Sequence, residues 1–292
     1  MKIIDMHTHA QDILFLKGTS RVKPSKGFLI RLFEWQKFNW YHSERIDKVL
    51  RKRVARETQG RNAMASFPGL TQAMESEGIA HSVVLPIEPY GSTLEVASIA
   101  KGDKRIIPFA SVDPRDPGRA EKLRSYVEAG CRGLKLHPII QNFHPAGRES
   151  VETVEEFSQY GLPVFFHSGQ TAYYVPESES EGYGLPENYV KVLDAFPKVK
   201  FVMGHMAMFQ ASEAIEIAVK HKNVYFDTSF QPLRMVGRAI EKVGVERVMY
   251  GSDWPFGRQR YELSVIMKLT ESNQELRERL LWRNAEEFLG GV

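Results

Sequence analysis

Eight short apolar runs recur along this chain, and amphipathic segments stand between most of them. The runs are Lys2 to His7, Ser82 to Ile87, Ile106 to Val112, Cys131 to His137, Pro163 to His167, Lys200 to His205, Asn223 to Thr228 and Arg247 to Gly251. They are rich in Val, Ile, Leu and Phe with little strict alternation, as parallel strands buried on both faces require. The segment Arg119 to Ala129 carries Ala120, Leu123, Val127 and Ala129 at helical spacing, with Gly130 placed to end it. Glu187 to Phe196, Ser212 to Lys220 and Leu233 to Val243 repeat the pattern, and Tyr261 to Thr270 and Gln274 to Leu289 close the chain. This alternation predicts an α/β chain, a (β/α)₈ TIM barrel forming one domain over residues 1–292. An open doubly wound sheet is the competing architecture, but no glycine-rich phosphate loop follows the first strand.

One departure stands out. About sixty residues separate the first strand from the helix near Leu70, far beyond ordinary loop length. This insertion, approximately residues 10–66, contains Phe28, Leu32, Phe33, Trp35, Phe38, Trp40 and Tyr41. Its composition predicts helices of its own that cover the barrel mouth or a subunit contact, which makes a homodimer the expected assembly.

Charge excludes several partner classes. Lys and Arg number 39 against 36 Asp and Glu, a net charge of +3, too small for nucleic acid or membrane as a partner. The run Arg51-Lys52-Arg53 has helical spacing and reads as a solvated face. Cys131 is the single cysteine, so no intrachain disulfide forms, and it opens an apolar run as a small buried hydrophobe. No stretch approaches the roughly 18 apolar residues of a membrane span, and no signal-peptide core follows Met1. A soluble, cytoplasmic protein acting on a small molecule is the expectation.

Four of the apolar runs end in histidine, at His7, His137, His167 and His205, and the eighth leads into Asp253. In a barrel all these ends lie on the face that carries chemistry. His7 and His9 are two apart, so on a strand both rings point to one side. With His167 and Asp253 they offer three imidazoles and a carboxylate, a set suited to Zn²⁺ or a similar divalent ion with a position left for water.

The motifs I-D-M-H-T-H, F-F-H-S-G, V-M-G-H-M and Y-G-S-D-W-P span nearly the whole chain. In that order they resemble the amidohydrolase superfamily, in the branch that includes aminocarboxymuconate-semialdehyde decarboxylase. The resemblance implies His7, His9, His167 and Asp253 as metal ligands and His205 as a catalytic histidine. Some members carry a carboxylated lysine on the fourth strand that bridges two metals. Here Lys135 and His137 share one side, but Lys135 lies about 6.6 Å deeper, so one ion is expected and Lys135 is the possible second-metal bridge.

The expected reaction is hydrolysis of a small amide, ester or lactone by a metal-activated water. Asp253 handles the proton, while His205, helped by His137, polarises the substrate oxygen. Two alternatives stand beside it: non-oxidative decarboxylation of a small carboxylated aromatic or unsaturated acid, and a non-catalytic metal-binding barrel. A metal nuclease is disfavoured by the small net charge. Decarboxylation needs a carboxylate anchor, for which Arg258 and Arg234 are candidates. Glu88, Tyr90, Tyr173 and Tyr174 are further candidates for the substrate pocket, Asp113 reads as a turn residue, and Asp227 is placed to orient a ligand. His42, His81, His144 and His221 read as structural or solvated.

Overall fold

A computed structural model describes residues 1–14, 58–170 and 179–291. Eight parallel strands form the barrel. They are β1 (Ile4–Thr8), β2 (His81–Val84), β3 (Ile106–Pro108, resuming after Phe109 as Ala110–Ser111) and β4 (Leu134–Leu136). β5 (Val164–Phe166), β6 (Phe201–Met203), β7 (Val224–Asp227) and β8 (Val248–Met249) complete the ring. β3 is continuous through its break, because Phe109 N–H donates to Val84 O at 3.2 Å and Ala110 N–H to Gly133 O at 2.8 Å. The ring closes where Met6 N–H reaches Tyr250 O at 3.0 Å and Asp253 N–H reaches His7 O at 2.8 Å. Closure leaves no open sheet edge among the described residues.

A helix follows each strand: α1 (Phe67–Glu77), α2 (Thr93–Gly102), α3 (Arg119–Glu128) and α4 (Arg148–Ser158), then α5 (Val190–Ala195), α6 (Ala211–Lys220), α7 (Leu233–Val243) and α8 (Gln259–Leu269). Local chemistry sets their ends. The Ser66 hydroxyl accepts from Gly69 N–H at 3.1 Å to start α1, and Gly78, at φ 68°, ends it. After α8 the chain runs through α9 (Gln274–Glu278), one π-helical turn at Arg279–Arg283, and α10 (Asn284–Leu289). Within that turn the Leu280 carbonyl accepts Tyr250 N–H at 2.9 Å, so the widened turn ties the last helix to β8.

Two cores result. One lies between strands and helices, with Leu70, Val96, Leu123 and Phe157 fully buried. The other fills the barrel: Met6, Val83, Phe109, Phe165, Val202 and Met249, sealed below by Phe288 and Leu289 of α10. Each such side chain contributes about 1.5–3 kcal/mol on burial. Phe165 is the floor on which the site stands.

The TIM barrel matches the sequence-based expectation, and all six helical segments read from the sequence lie where it placed them, the last as α9 and α10 joined by the π-helical turn. α2 and α4 were not assigned from sequence. Cys131 is buried, as a small hydrophobe would be. The aromatic part of the insertion, the basic run at Arg51, His42, Tyr173 and Tyr174 lie outside the described residues. The two ends of the insertion meet where Asn62 donates to the Asp12 carboxylate, and the later end is tied to the barrel top by Arg61, which donates to Phe256 O at 2.7 Å. Among the described residues no helix is long and apolar enough to cross a membrane.

Candidate metal centre and active site

His7 and His9 meet as their spacing requires, with Nε2 atoms 3.2 Å apart. The Asp253 Oδ1 atom lies 3.3 Å from the first and 3.2 Å from the second. All three side chains are buried. The protons of the two rings can be placed by their other nitrogens. His9 Nδ1 lies 2.7 Å from Leu85 O, a carbonyl that can only accept, and His7 Nδ1 lies 3.3 Å from Asp227 Oδ2. Both rings therefore carry their proton on Nδ1 and aim bare Nε2 lone pairs at each other and at Asp253.

Burial keeps the rings neutral. It lowers the pKa of His7 well below the usual imidazole range and that of His9 to about 3. Burial also pushes Asp253 well above the usual carboxylate range, with Lys135 opposing it. Asp253 Oδ1 has no hydrogen-bond partner. Three acceptors face one another, an arrangement that costs free energy unless a cation, or failing that a proton on Asp253, sits among them. These residues fit a divalent ion.

The remaining histidines form a second group beside the first. His205 Nε2 lies 3.2 Å from His167 Nδ1 and 4.0 Å from Asp253 Oδ2. The ring of His205 stacks on that of His7, with centroids 4.5 Å apart. His137 stacks nearly parallel on His167 at 3.9 Å. Its Nδ1 accepts Ile140 N–H at 3.2 Å, which leaves its proton on Nε2. His7, His9 and Asp253 have ligand atoms within 4.8 Å of one another; His167, read from the sequence as a fourth ligand, is not in that group, and its Nδ1 meets His205 Nε2. Burial depresses His137, His167 and His205 well below the usual range.

Backbone geometry aims these side chains. Asp253 has φ 56°, and the four residues from His205 to Met208 all have positive φ, between 48° and 60°. Such residues cost roughly 1–2 kcal/mol each relative to right-handed backbone. The turn after β6 is held by Gln231, whose amide donates to His205 O at 2.5 Å and Met208 O at 3.0 Å. Gly169 permits the turn from the other side: at φ 94°, a Cβ there would lie 2.5 Å from the Ala207 carbonyl carbon. Gly169→Ala is therefore expected to lower stability by about 2 kcal/mol or more. Thermal unfolding of the two proteins checks this, and an unchanged melting temperature would contradict the packing described.

Lys135 lies where the strand spacing put it, one layer below. Its Nζ is fully buried, sits 4.4 Å from the Phe165 ring centroid and has no hydrogen-bond partner. Burial lowers its pKa to about 7. Between pH 7 and about 10.4 the unfolded chain binds more protons than the folded one, so stability rises with pH across that window. Lys135→Met should stabilise the metal-free protein by about 1–3 kcal/mol near pH 7. The gain should shrink as pH approaches 10, and one ion per chain should still bind. Denaturant titrations at several pH values, with metal analysis, check both; loss of the ion would favour the bridging role.

The candidate substrate residues fall elsewhere. Glu88 turns its carboxylate toward α3, accepting from the Tyr126 hydroxyl at 2.7 Å. Arg258 is exposed and lines a cavity of about 520 Å³ with Trp254, Gln259 and Tyr261; none of the clustered histidines borders it. Arg234 is exposed on α7, and Asp113 accepts Arg115 N–H in a turn. His81 opens β2, His144 accepts Ala146 N–H, and His221 pairs with Asp194.

Sequence reading missed Asp5, Ser229 and Gln231. Asp5 accepts from His7 N–H, Ser252 N–H, the Ser252 hydroxyl and the Gln259 amide, tying β1 to the strand end that carries Asp253. Burial raises its pKa to about 7. Asp227, Ser229 and Gln231 stand at alternate positions from the end of β7 onward, a polar spacing that could have marked them.

A family model described as "Amidohydrolase" matches residues 4–291. Decarboxylase orsB of Emericella nidulans is 22% identical over 244 residues, covering 67% of this chain and 72% of that protein. An uncharacterised TIM-barrel protein of Bordetella bronchiseptica superposes with a TM-score of 0.69 at 20% identity, covering 99% of both chains. The 5-carboxyvanillate decarboxylase of Novosphingobium aromaticivorans, complexed with manganese and 4-hydroxy-3-methoxy-5-nitrobenzoic acid, has a TM-score of 0.67. It is 14% identical and matches over 99% of this chain and 96% of that one. At these identities the two structures show the shared fold.

Proposed function

The chain belongs to the amidohydrolase family and is a metal-dependent enzyme of it, and from that premise we propose that it catalyses the non-oxidative decarboxylation of a small carboxylated aromatic acid. This replaces the hydrolysis first read from the motifs. The observation that carries it is the likeness to a decarboxylase over two thirds of the chain, joined to a site richer in proton-handling imidazoles than ion binding needs.

His7 Nε2, His9 Nε2 and Asp253 would hold the ion, with His167 as the further ligand. When bound, a divalent ion supplies fixed positive charge that orients and polarises a substrate oxygen. Manganese, present in the N. aromaticivorans decarboxylase, joins zinc as a candidate. The carbon that loses carbon dioxide must gain a proton. His205 Nε2, 4.0 Å from Asp253 Oδ2, is the atom placed to take the proton of the substrate's ring hydroxyl. It passes that proton to the carbon as carbon dioxide leaves, and the hydroxyl then regains a proton from solvent. His137, with its proton on Nε2, is a donor at the end of β4 for a substrate oxygen.

The test is incubation of the metal-loaded protein with hydroxylated benzoates, and in parallel with esters, lactones and amides. The expected outcome is carbon dioxide release in deuterium oxide, with one deuterium on the vacated ring carbon. Cleavage of an ester, lactone or amide without carbon dioxide release from any acid would restore the hydrolase reading.

A further inference from the structure

Asp227, at the end of β7, is fully buried and engaged on both oxygens. Oδ2 accepts His205 N–H at 2.7 Å and faces His7 Nδ1 at 3.3 Å. Oδ1 accepts Ser229 N–H at 3.0 Å and also the Ser229 hydroxyl. A serine hydroxyl has one hydrogen. Here it is directed at the carboxylate, because the reverse arrangement would press two acceptors together. The Ser229 oxygen can then only accept from its other neighbour, His205 Nδ1, at 2.7 Å. The proton of neutral His205 is thus on Nδ1, and its bare Nε2 looks toward His167 and Asp253.

We infer that Ser229, backed by Asp227, is a positioning residue that holds His205 in the Nδ1–H tautomer, so that Nε2 meets the substrate as a proton acceptor. The inference deepens the reading of His205 given above and rests on it. It also revises the expectation that His205 polarises a substrate oxygen. A neutral ring in this tautomer has no Nε2 hydrogen to give, so that task passes to His137 with its opposite tautomer. One carboxylate serves both groups: Asp227 orients His7 toward the ion and, through Ser229, His205 toward the substrate. Gln231 fixes the backbone of the same histidine, so ring and main chain are both held from the segment between β7 and α7. The coupling is of the kind in which a partner behind a functional imidazole sets its tautomer and direction.

The experiment uses full-length protein with ¹⁵N-labelled histidine, with and without added zinc. His205 signals are identified by their absence in His205→Asn. The wild-type protein should show a protonated Nδ1 and a bare Nε2 on His205. Ser229→Ala should shift that ring toward the Nε2–H form and lower kcat by about 10- to 100-fold. KM should stay within about threefold, with zinc stoichiometry unchanged. Ser229→Thr, which restores the hydroxyl, should recover the wild-type spectrum and most of kcat. A wild-type spectrum with the proton on Nε2 overturns the inference without any variant. So does a Ser229→Ala protein with unaltered spectrum and kcat. The spectrum requires no substrate, so the expected tautomer in a protein that releases no carbon dioxide would sink the decarboxylase reading and leave the positioning role standing.

Discussion

A His7→Ala variant should purify without stoichiometric metal and lose turnover by about 10³-fold or more. A metal's charge stabilisation is worth several kcal/mol, and about 4 kcal/mol corresponds to that factor. His7 is the member of the trio with most to lose. Its Nε2 lies between His9 Nε2 and Asp253 Oδ1 at 3.2 and 3.3 Å, and its Nδ1 is braced by Asp227. Truncation leaves only His9 and Asp253 of the trio, with His167 as the further ligand, and leaves Asp227 Oδ2 with His205 N–H but without the His7 ring. Yet the fold should survive, because removing one of three mutually repelling acceptors relieves the metal-free site. Inductively coupled plasma analysis and steady-state rates measure the effect. A variant that keeps one tightly held ion per chain would exclude His7 as a ligand.

His205→Asn should separate chemistry from metal binding. We expect metal content to remain at the wild-type level while kcat falls by about 10²- to 10⁴-fold, the range for loss of a positioned acid–base group. Asparagine is chosen because its amide can still meet the Ser229 hydroxyl, so the loss reports the missing Nε2 and not a collapsed network. The left-handed backbone at residue 205, φ 58°, is also one that asparagine tolerates well. If the variant retains full activity, His205 has no part in the reaction.

The barrel was legible because parallel strands covered on both faces need continuous apolar side chains, and Val164-Phe165-Phe166 or Phe201-Val202-Met203 leave little else to be. The trio His7, His9 and Asp253 was legible for a related reason. A charged or metal-seeking group directly after such a run must stand at one rim. His167 and His137 were placed at that rim as well, and they stack on each other there. Depth along the strand was readable too, which is why Lys135 fell one layer below His137.

Direction was not readable. Glu88 follows β2 as His167 follows β5, yet its carboxylate turns outward to Tyr126, a choice made by neighbours on another helix. Arg258 stands only five positions past Asp253, but a turn carries it to the outer cavity. Ser229 and Asp5 look like ordinary turn and strand residues in the sequence. Their meaning comes from which buried donor or acceptor lies opposite, and no local pattern encodes that. α2 and α4 were missed on different grounds: small or polar residues, Thr93 and Ala97 in α2 and Ser150 and Thr153 in α4, take buried positions that larger apolar side chains would have marked.

The most direct test is a crystal of the full chain grown with zinc, with anomalous data collected at the zinc edge. One peak per chain should appear at about 2.0–2.2 Å from His7 Nε2, His9 Nε2 and an Asp253 carboxylate oxygen. A map with those three groups more than coordination distance from any peak, or with the ion held by other residues, would contradict the account.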